Sequence, residues 1–141
     1  METTTGLQSQ LIAEHRLEIG NFQFYTNIIV GEFAEGVHVT RLNALKPIQL
    51  AQKTYEDNRP FVYISNRLNS YSIDPVGYTE VVGMFPNFKG FAIVSQNKYR
   101  RMLAAVEKLF IKKPISVFHN IEEAFEWSNE LLEKELWANS A

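Results

Sequence analysis

Apolar and polar residues change their period along the chain, and these changes divide it into strands and helices. Residues 15–25 alternate loosely, which predicts a strand with one buried face. A second apolar run at residues 28–33, followed by a bend at Gly36, indicates an antiparallel pair. Three later runs are short, apolar throughout and typical of buried strands: residues 61–64, 90–94 and 114–118.

Four segments between and after these runs carry apolar residues at helical spacing. They extend from about residue 43 to 57, from about 75 to 85, after Asn97 and after Asn120. The third helix has an apolar stripe made of Tyr99, Met102, Leu103, Val106, Leu109 and Phe110. The order β-β-α-β-α-β-α-β-α predicts an α/β fold with a mixed, mainly parallel five-stranded sheet and about four helices.

The length of 141 residues favours a single domain. Residues 1–13 are predicted to form a disordered tail, and residues 14–137 the α/β domain. The start of the chain lacks the basic and apolar segments of a secretory signal, and no window of eighteen residues is apolar enough to span a membrane. We therefore expect a cytoplasmic protein.

Composition excludes several kinds of chemistry. The chain has no cysteine, which removes thiol nucleophiles and cysteine metal sites. Its three histidines are isolated, and its glycines form no phosphate-binding loop, so no metal and no cofactor is predicted. The formal net charge of −2 gives no reason to expect a nucleic-acid partner.

The last two helices have opposite charge. Six basic residues in the segment 98–113 accompany a single acid, Glu107, whereas the segment 122–135 is mostly acidic. The charged faces of these two helices either pair with each other or with a partner, or they are exposed to solvent. Helix-dipole preferences favour solvent exposure.

The last third of the chain resembles the SpoIIAA-like fold of STAS domains, the anti-sigma-factor antagonists. The likeness rests on the strand at residues 90–95, the basic amphipathic helix after it, the strand at 115–119 and the acidic segment 122–127. Residues 27–40 resemble the second strand of this fold and its bend, so the likeness extends over about residues 17–132. The segment 61–75, which ends in a Ser-Tyr-Ser-x-Asp-Pro run, is similar to small bacterial proteins of no assigned function, and this resemblance implies a bacterial origin.

One position departs from the regulatory STAS pattern. Those domains carry Asp-Ser-Ser-Gly at the start of a helix, and the second serine is the phosphorylated switch. The matching residues 74–77 here read Asp-Pro-Val-Gly, which puts Val76 at the switch position. Valine has no hydroxyl, so the resemblance implies that this mechanism is lost, and phosphorylation of Ser70 or Ser72 is left open.

Polar residues follow three of the predicted parallel strands, where open α/β sheets gather ligands. The candidate ligand-binding residues are Asn66, Arg67, Ser70, Tyr71, Ser72, Asp74, Ser95 and His119. Arg67 suits a carboxylate or phosphate, since a guanidinium binds either with two parallel hydrogen bonds. The amides after Asp74 and Asn97 also favour an anion, whereas the charge of Asp74 opposes one. The alternative is that these residues only build turns and helix caps.

Aromatic residues are numerous for a domain of this size, and they support two interpretations. They either fill an ordinary core or line an apolar pocket for a lipid-like molecule. The short helix around residues 76–85 is a candidate lid, because Gly77 and Gly83 weaken it.

The leading hypothesis is a non-enzymatic binding or regulatory module for a protein partner or a small apolar or anionic ligand. A second hypothesis is a hydrolase that uses Ser70 or Ser95 with His119, although the chain has no Gly-x-Ser-x-Gly elbow. A third is a structural homodimer formed through Phe85 and Phe88.

Overall fold

A six-stranded sheet forms the centre of the molecule. The computed structural model describes residues 9–97, 105 and 107–140. Within this part, eight strands follow one another along the chain: β1 (Leu11–Leu17), β2 (Gly20–Tyr25), β3 (Ile28–Phe33), β4 (His38–Val39), β5 (Phe61–Asn66), β6 (Ser72–Ile73), β7 (Phe88–Val94) and β8 (Ile115–Phe118). Three helices are described with them: α1 (Leu45–Thr54), α2 (Val76–Gly83) and α3 (Ile121–Ser140).

The main sheet has the order β1-β2-β3-β5-β7-β8. Its first two pairs are antiparallel, and the pairs β3–β5, β5–β7 and β7–β8 are parallel. Helices α1 and α2 lie in the connections that parallel neighbours require. The predicted α/β class with a mainly parallel sheet is therefore confirmed.

The sheet has six strands rather than five, because residues 15–25 form a hairpin instead of one strand. Strands β1 and β2 pair antiparallel across a two-residue turn. The apolar positions are odd-numbered up to and within this turn, at Leu17 and Ile19, and even-numbered after it, at Phe22 and Phe24. This change of parity marks the turn, since a single strand keeps one parity on its buried face.

The sheet also begins earlier than the pattern predicts. Residues 11–13 belong to the predicted tail, but Leu11 pairs with Tyr25 and Ala13 pairs with Phe24. Leu11 and Ile12 remain 55% and 51% exposed. Backbone pairing rather than side-chain burial therefore holds this end of β1, which explains why the hydrophobic pattern did not reveal it.

A second, two-stranded parallel sheet joins β4 to β6. In it, His38 pairs with Ser72 and Val39 pairs with Ile73. This pairing places residues 72–73, which follow β5 in the sequence, beside residues 38–39. It determines where several of the predicted site residues lie.

The two faces of the main sheet are covered differently. Helices α1 and α2 contribute to the larger core, whose buried residues include Ile48, Ala51, Phe61 and Phe91. Helix α3 covers the opposite face, where Ala124 and Leu132 are fully buried against strand residues. The molecule is therefore a three-layer α/β/α arrangement.

The predicted helix after Asn97 falls largely outside the described residues, which include neither Tyr99, Met102, Leu103 nor Val106. Leu109 is described, and it is 72% exposed rather than buried in the predicted stripe. The carbonyl of Glu107 accepts hydrogen bonds from the amides of Phe110 and Ile111. The chain turns there, so Ile111 enters the core in place of Leu109.

Candidate functional site

The carboxyl ends of β5, β7 and β8 border a shallow depression, here named the strand-edge depression. Four of the eight predicted site residues line it: Asn66, Arg67, Ser95 and His119. Asn66 and Arg67 come at the end of β5, Ser95 follows β7 and His119 follows β8. The expected convergence of these strand ends is therefore confirmed, whereas binding of a ligand there stays a prediction.

Arg67 has a binding partner within the protein. Its Nη1 donates to Glu107 Oε1 at 2.7 Å and its Nη2 donates to Oε2 at 2.6 Å. Its Nε donates to Ser65 Oγ at 2.9 Å. The two charged side chains are each only 10% exposed. The guanidinium group of Arg67, which is predicted to suit an external carboxylate or phosphate, therefore binds an internal carboxylate instead.

The start of α3 borders the same depression and carries negative charge. The side-chain oxygen of Asn120 accepts a hydrogen bond from the amide of Glu123 at 2.9 Å, so Asn120 caps the helix. Glu122 and Glu123 lie in the first turn, where carboxylates already interact with the helix dipole. This end of the depression therefore disfavours an anionic ligand.

The remaining four predicted site residues do not line the depression. Tyr71 packs on Phe33 with ring centroids 5.3 Å apart, and its hydroxyl lies 3.2 Å from Ser65 Oγ. The backbone amide of Ser70 donates to Glu35 Oε1 at 2.8 Å. Pairing of β6 with β4 moves this segment away from the strand ends, and the sequence pattern did not reveal that pairing.

The serine–histidine contact that the structure describes differs from the predicted ones. Ser72 Oγ lies 2.6 Å from His38 Nδ1 on the exposed two-stranded sheet. Ser95 Oγ accepts a hydrogen bond from the amide of Asn97 at 3.1 Å, as in a turn. Among the described residues, no hydrogen bond joins His119 to Ser70 or Ser95. The hydrolase hypothesis therefore gains no geometric support from either serine.

An apolar cavity of about 170 Å³ lies between the main sheet and helices α1 and α2. It lies beneath α2, the helix that is a candidate lid for an apolar pocket in one of the two interpretations of the aromatic residues. Its apolar wall comes mainly from α1, α2 and four strands of the main sheet, with further residues from the two-stranded sheet and from connecting segments: Phe22, Phe24, Ile29, Phe33, Val39, Ala44, Pro47, Ile48, Ala51, Phe61, Ile73, Val81, Val82, Phe85, Phe88, Phe91 and Ile111. The predicted site residue Asp74 lines this cavity rather than the strand-edge depression.

Aromatic rings stiffen the wall of the cavity. Phe61 stacks on Tyr55 with centroids 4.6 Å apart and an angle of 10° between the planes. Phe85 meets Phe61 edge-on at 5.5 Å. Rings packed in this way lose little entropy when a ligand enters, because they are already held in place. The aromatic residues therefore fill a core and also line a cavity, whereas the binding of a lipid-like molecule there stays a prediction.

A buried polar network joins the cavity to the strand-edge depression. Tyr78 lines the cavity, and its hydroxyl donates to the same Glu107 carboxylate that binds Arg67. Burial, together with the nearby Glu107 charge, raises the pKa of Tyr78 well above its ordinary value. The pattern missed Glu107 as a site residue, although it was the one acid in an otherwise basic segment.

Comparison with known proteins identifies the fold. No protein-family model matches the chain, and no curated protein matches it. A crystal structure of an uncharacterised DUF3478-family protein from Shewanella loihica PV-4, with a SpoIIAA-like fold, is similar to this chain with a TM-score of 0.52. The identity is 11%, over 89% of this chain and 99% of that chain. This chain therefore has a SpoIIAA-like fold, as its resemblance to STAS domains implied.

Two further observations concern membranes and metals. None of the helices in the described part of the chain is long and apolar enough to cross a membrane. The same residues contain no group of three histidine, aspartate or glutamate side chains arranged to hold a metal ion.

Proposed function

We propose that this protein is a non-enzymatic binding module whose ligand is a small apolar molecule held in the cavity beneath α2. The cavity itself is the observation that carries the proposal, since its volume is about 170 Å³ and its wall is almost entirely apolar. Apolar cavities of roughly 150 Å³ in other proteins stay dry and bind benzene-sized molecules. The ligand, or the part of it that enters, is therefore about the size of a single substituted ring.

The helix above the cavity suits ligand entry. Val81 and Val82 line the cavity from α2, while Gly77 and Gly83 occupy the first and last turns of this eight-residue helix. Glycine lowers helix stability by roughly 1 kcal/mol relative to alanine, so α2 opens at a smaller free-energy cost than a helix of ordinary composition. Opening of α2 gives a ligand a route that leaves the main sheet intact.

The strand-edge depression supports the proposal less well. An anionic ligand there would have to displace Glu107 from Arg67 and face the acidic first turn of α3. A protein partner remains an alternative occupant of that edge, and a homodimer through Phe85 and Phe88 is disfavoured because both side chains are buried, at 7% and 6% exposure.

Toluene is a suitable first probe, because it matches the cavity in size and has no polar group. We expect toluene to shift the NMR signals of residues that line the cavity, such as Ile48, Val81 and Phe91, in the full-length protein. In an Ala51→Leu variant the added side-chain carbons occupy part of the cavity, so toluene affinity falls at least about tenfold. Gln52→Leu is the matched control, because Gln52 lies on the exposed side of the same helix.

The outcomes separate the alternatives. Toluene signals confined to the cavity, weakened by Ala51→Leu and unaffected by Gln52→Leu, support the proposal. The proposal is wrong if toluene causes no shifts, or if the shifts cluster at Ser95 and His119 in the strand-edge depression. If Ala51→Leu lowers the melting temperature strongly, Val81→Phe fills the cavity from the other helix and repeats the test.

A further inference from the structure

The polar side chains on the cavity wall are few, and they define what a ligand can contact besides carbon. Six of them line the cavity: Thr40, Arg41, Tyr63, Ser65, Asp74 and Tyr78. A ligand can form a strong hydrogen bond with one of these only if the group is not already bonded within the protein.

The two charged groups already have partners. Arg41 forms an ion pair with Glu80, with Nε 3.2 Å from Oε1. Asp74 Oδ1 accepts a hydrogen bond from the amide of Val76 at 3.2 Å, at the start of α2. The Asp74 carboxylate keeps its negative charge, since an amide is a neutral donor. Arg41 is already paired with Glu80, so the cavity offers no unpaired cation to an anionic ligand.

Three of the four hydroxyl groups are also bonded. Thr40 Oγ1 accepts from the amide of Asn43 at 3.2 Å. Ser65 Oγ accepts from Arg67 and lies 3.2 Å from the Tyr71 hydroxyl. The Tyr78 hydroxyl donates to Glu107.

Tyr63 is the exception. Its ring stacks on Phe91, with centroids 5.5 Å apart and an angle of 16° between the planes, and its hydroxyl lies over Gly31, where a side chain would collide with it. Among the residues that the structure describes, none forms a hydrogen bond with this hydroxyl. This partly buried side chain therefore has a hydroxyl that a ligand group can bind without first breaking a hydrogen bond within the described part of the protein.

We propose that the cavity selects a neutral ring-sized molecule that bears one hydrogen-bonding oxygen, and that the Tyr63 hydroxyl binds that oxygen. This inference rests on the proposed function, because it specifies the ligand of the same cavity. Phenols and small aryl alcohols or ketones have the required chemistry. Carboxylates do not, because their charge would have to leave water without a counter-ion in the cavity.

Three probes of similar shape test the inference: toluene, 4-methylphenol and 4-methylbenzoate. They are titrated into the full-length protein and into its Tyr63→Phe variant, with NMR shifts as the readout. We expect 4-methylphenol to bind about fivefold more tightly than toluene, the range that one net hydrogen bond supplies. Tyr63→Phe should abolish this preference and leave toluene affinity unchanged, and 4-methylbenzoate should bind most weakly.

Tyr63→Phe removes a single oxygen atom that has no described partner, so the variant is expected to fold. Tyr25→Phe is the matched control, because Tyr25 packs on the α3 side of the sheet. If toluene binds but 4-methylphenol shows no preference, or if Tyr63→Phe keeps the preference, the inference is wrong while the proposed function stands. Tightest binding of 4-methylbenzoate also overturns it. If no probe enters the cavity, both proposals fail.

Discussion

Arg67 and Glu107 form a bidentate ion pair, although forty positions separate them in the sequence. The donor–acceptor distances are 2.7 and 2.6 Å, and each side chain is 10% exposed. Ser65 and Tyr78 bond to the same pair, one to each partner. The pair thus connects the segment after β7 to the end of β5. Each charge is stabilised mainly by the other, because water is largely excluded from both side chains.

Replacing Glu107 by glutamine should destabilise the fold by about 3 kcal/mol, since removal of one partner leaves the other as an uncompensated buried charge. The free energy of unfolding in urea measures the effect. The double variant Arg67→Met/Glu107→Leu removes both charges and should recover most of the loss. Single and double variants of equal stability would show that the ion pair is not energetically coupled.

Alkaline pH should weaken the fold through buried tyrosines. Burial is the main cause that raises the pKa of Tyr55, Tyr63 and Tyr78 above the ordinary value near 10. The folded state therefore favours the protonated phenols. Their contribution to stability is fully present below about pH 10 and is lost as the pH rises from there toward the folded-state pKa values.

Urea unfolding between pH 8 and about 11, together with tyrosinate absorbance, measures this dependence. The stability of the unmodified protein should fall above about pH 10, and these phenols should ionise only as the fold is lost. Tyr78→Phe lacks one such group, so its unfolding free energy should fall less steeply with pH. Parallel curves for the two proteins would contradict the expectation.

Glycine at position 31 provides the space that the Tyr63 ring occupies. A Cβ atom there would collide with the Tyr63 hydroxyl and lie 2.9 Å from Cε1. Gly31→Ala should therefore destabilise the fold by about 1–3 kcal/mol, as overpacking of a core does, and should push the ring toward the cavity. Thermal unfolding and toluene titration check both effects.

Gly83→Ala is the control for this substitution. A Cβ atom at Gly83 meets nothing within 4 Å, and the residue ends α2. The change should stabilise the protein by about 0.5–1 kcal/mol, because alanine loses less entropy in a helix. A Gly31→Ala protein as stable as the unmodified one would show that Tyr63 moves at no cost.

Much of the fold follows from the local period of the sequence. The runs at 61–64 and 90–94 are recognisable because parallel strands buried on both faces are apolar throughout. The short helix α2 is recognisable from Pro75 and from its apolar content. The hairpin turn at residues 18–19 was missed because the alternation on either side of it looks like one pattern until the parity is compared.

The candidate site was less accessible to sequence reasoning, because its decisive contacts join distant positions. Nothing near Arg67 indicates that Glu107 will bind it, and Tyr63 resembles Phe61, the other aromatic residue of its strand. The pairing of β4 with β6 involves two residues on each side, too few to produce a period. Such contacts depend on the tertiary arrangement, and no local pattern in a single sequence indicates them.

The cavity draws its walls from elements that differ in how freely they can change. Tyr63 belongs to a central strand with paired neighbours on both sides, whereas Val81 and Val82 belong to a short helix outside the sheet. The proposed polar contact therefore belongs to the rigid sheet, and the proposed limit on ligand size belongs to a helix that can change more freely. An engineer who varies α2 alone should obtain a series of binders that accept larger or smaller rings and share one anchoring contact.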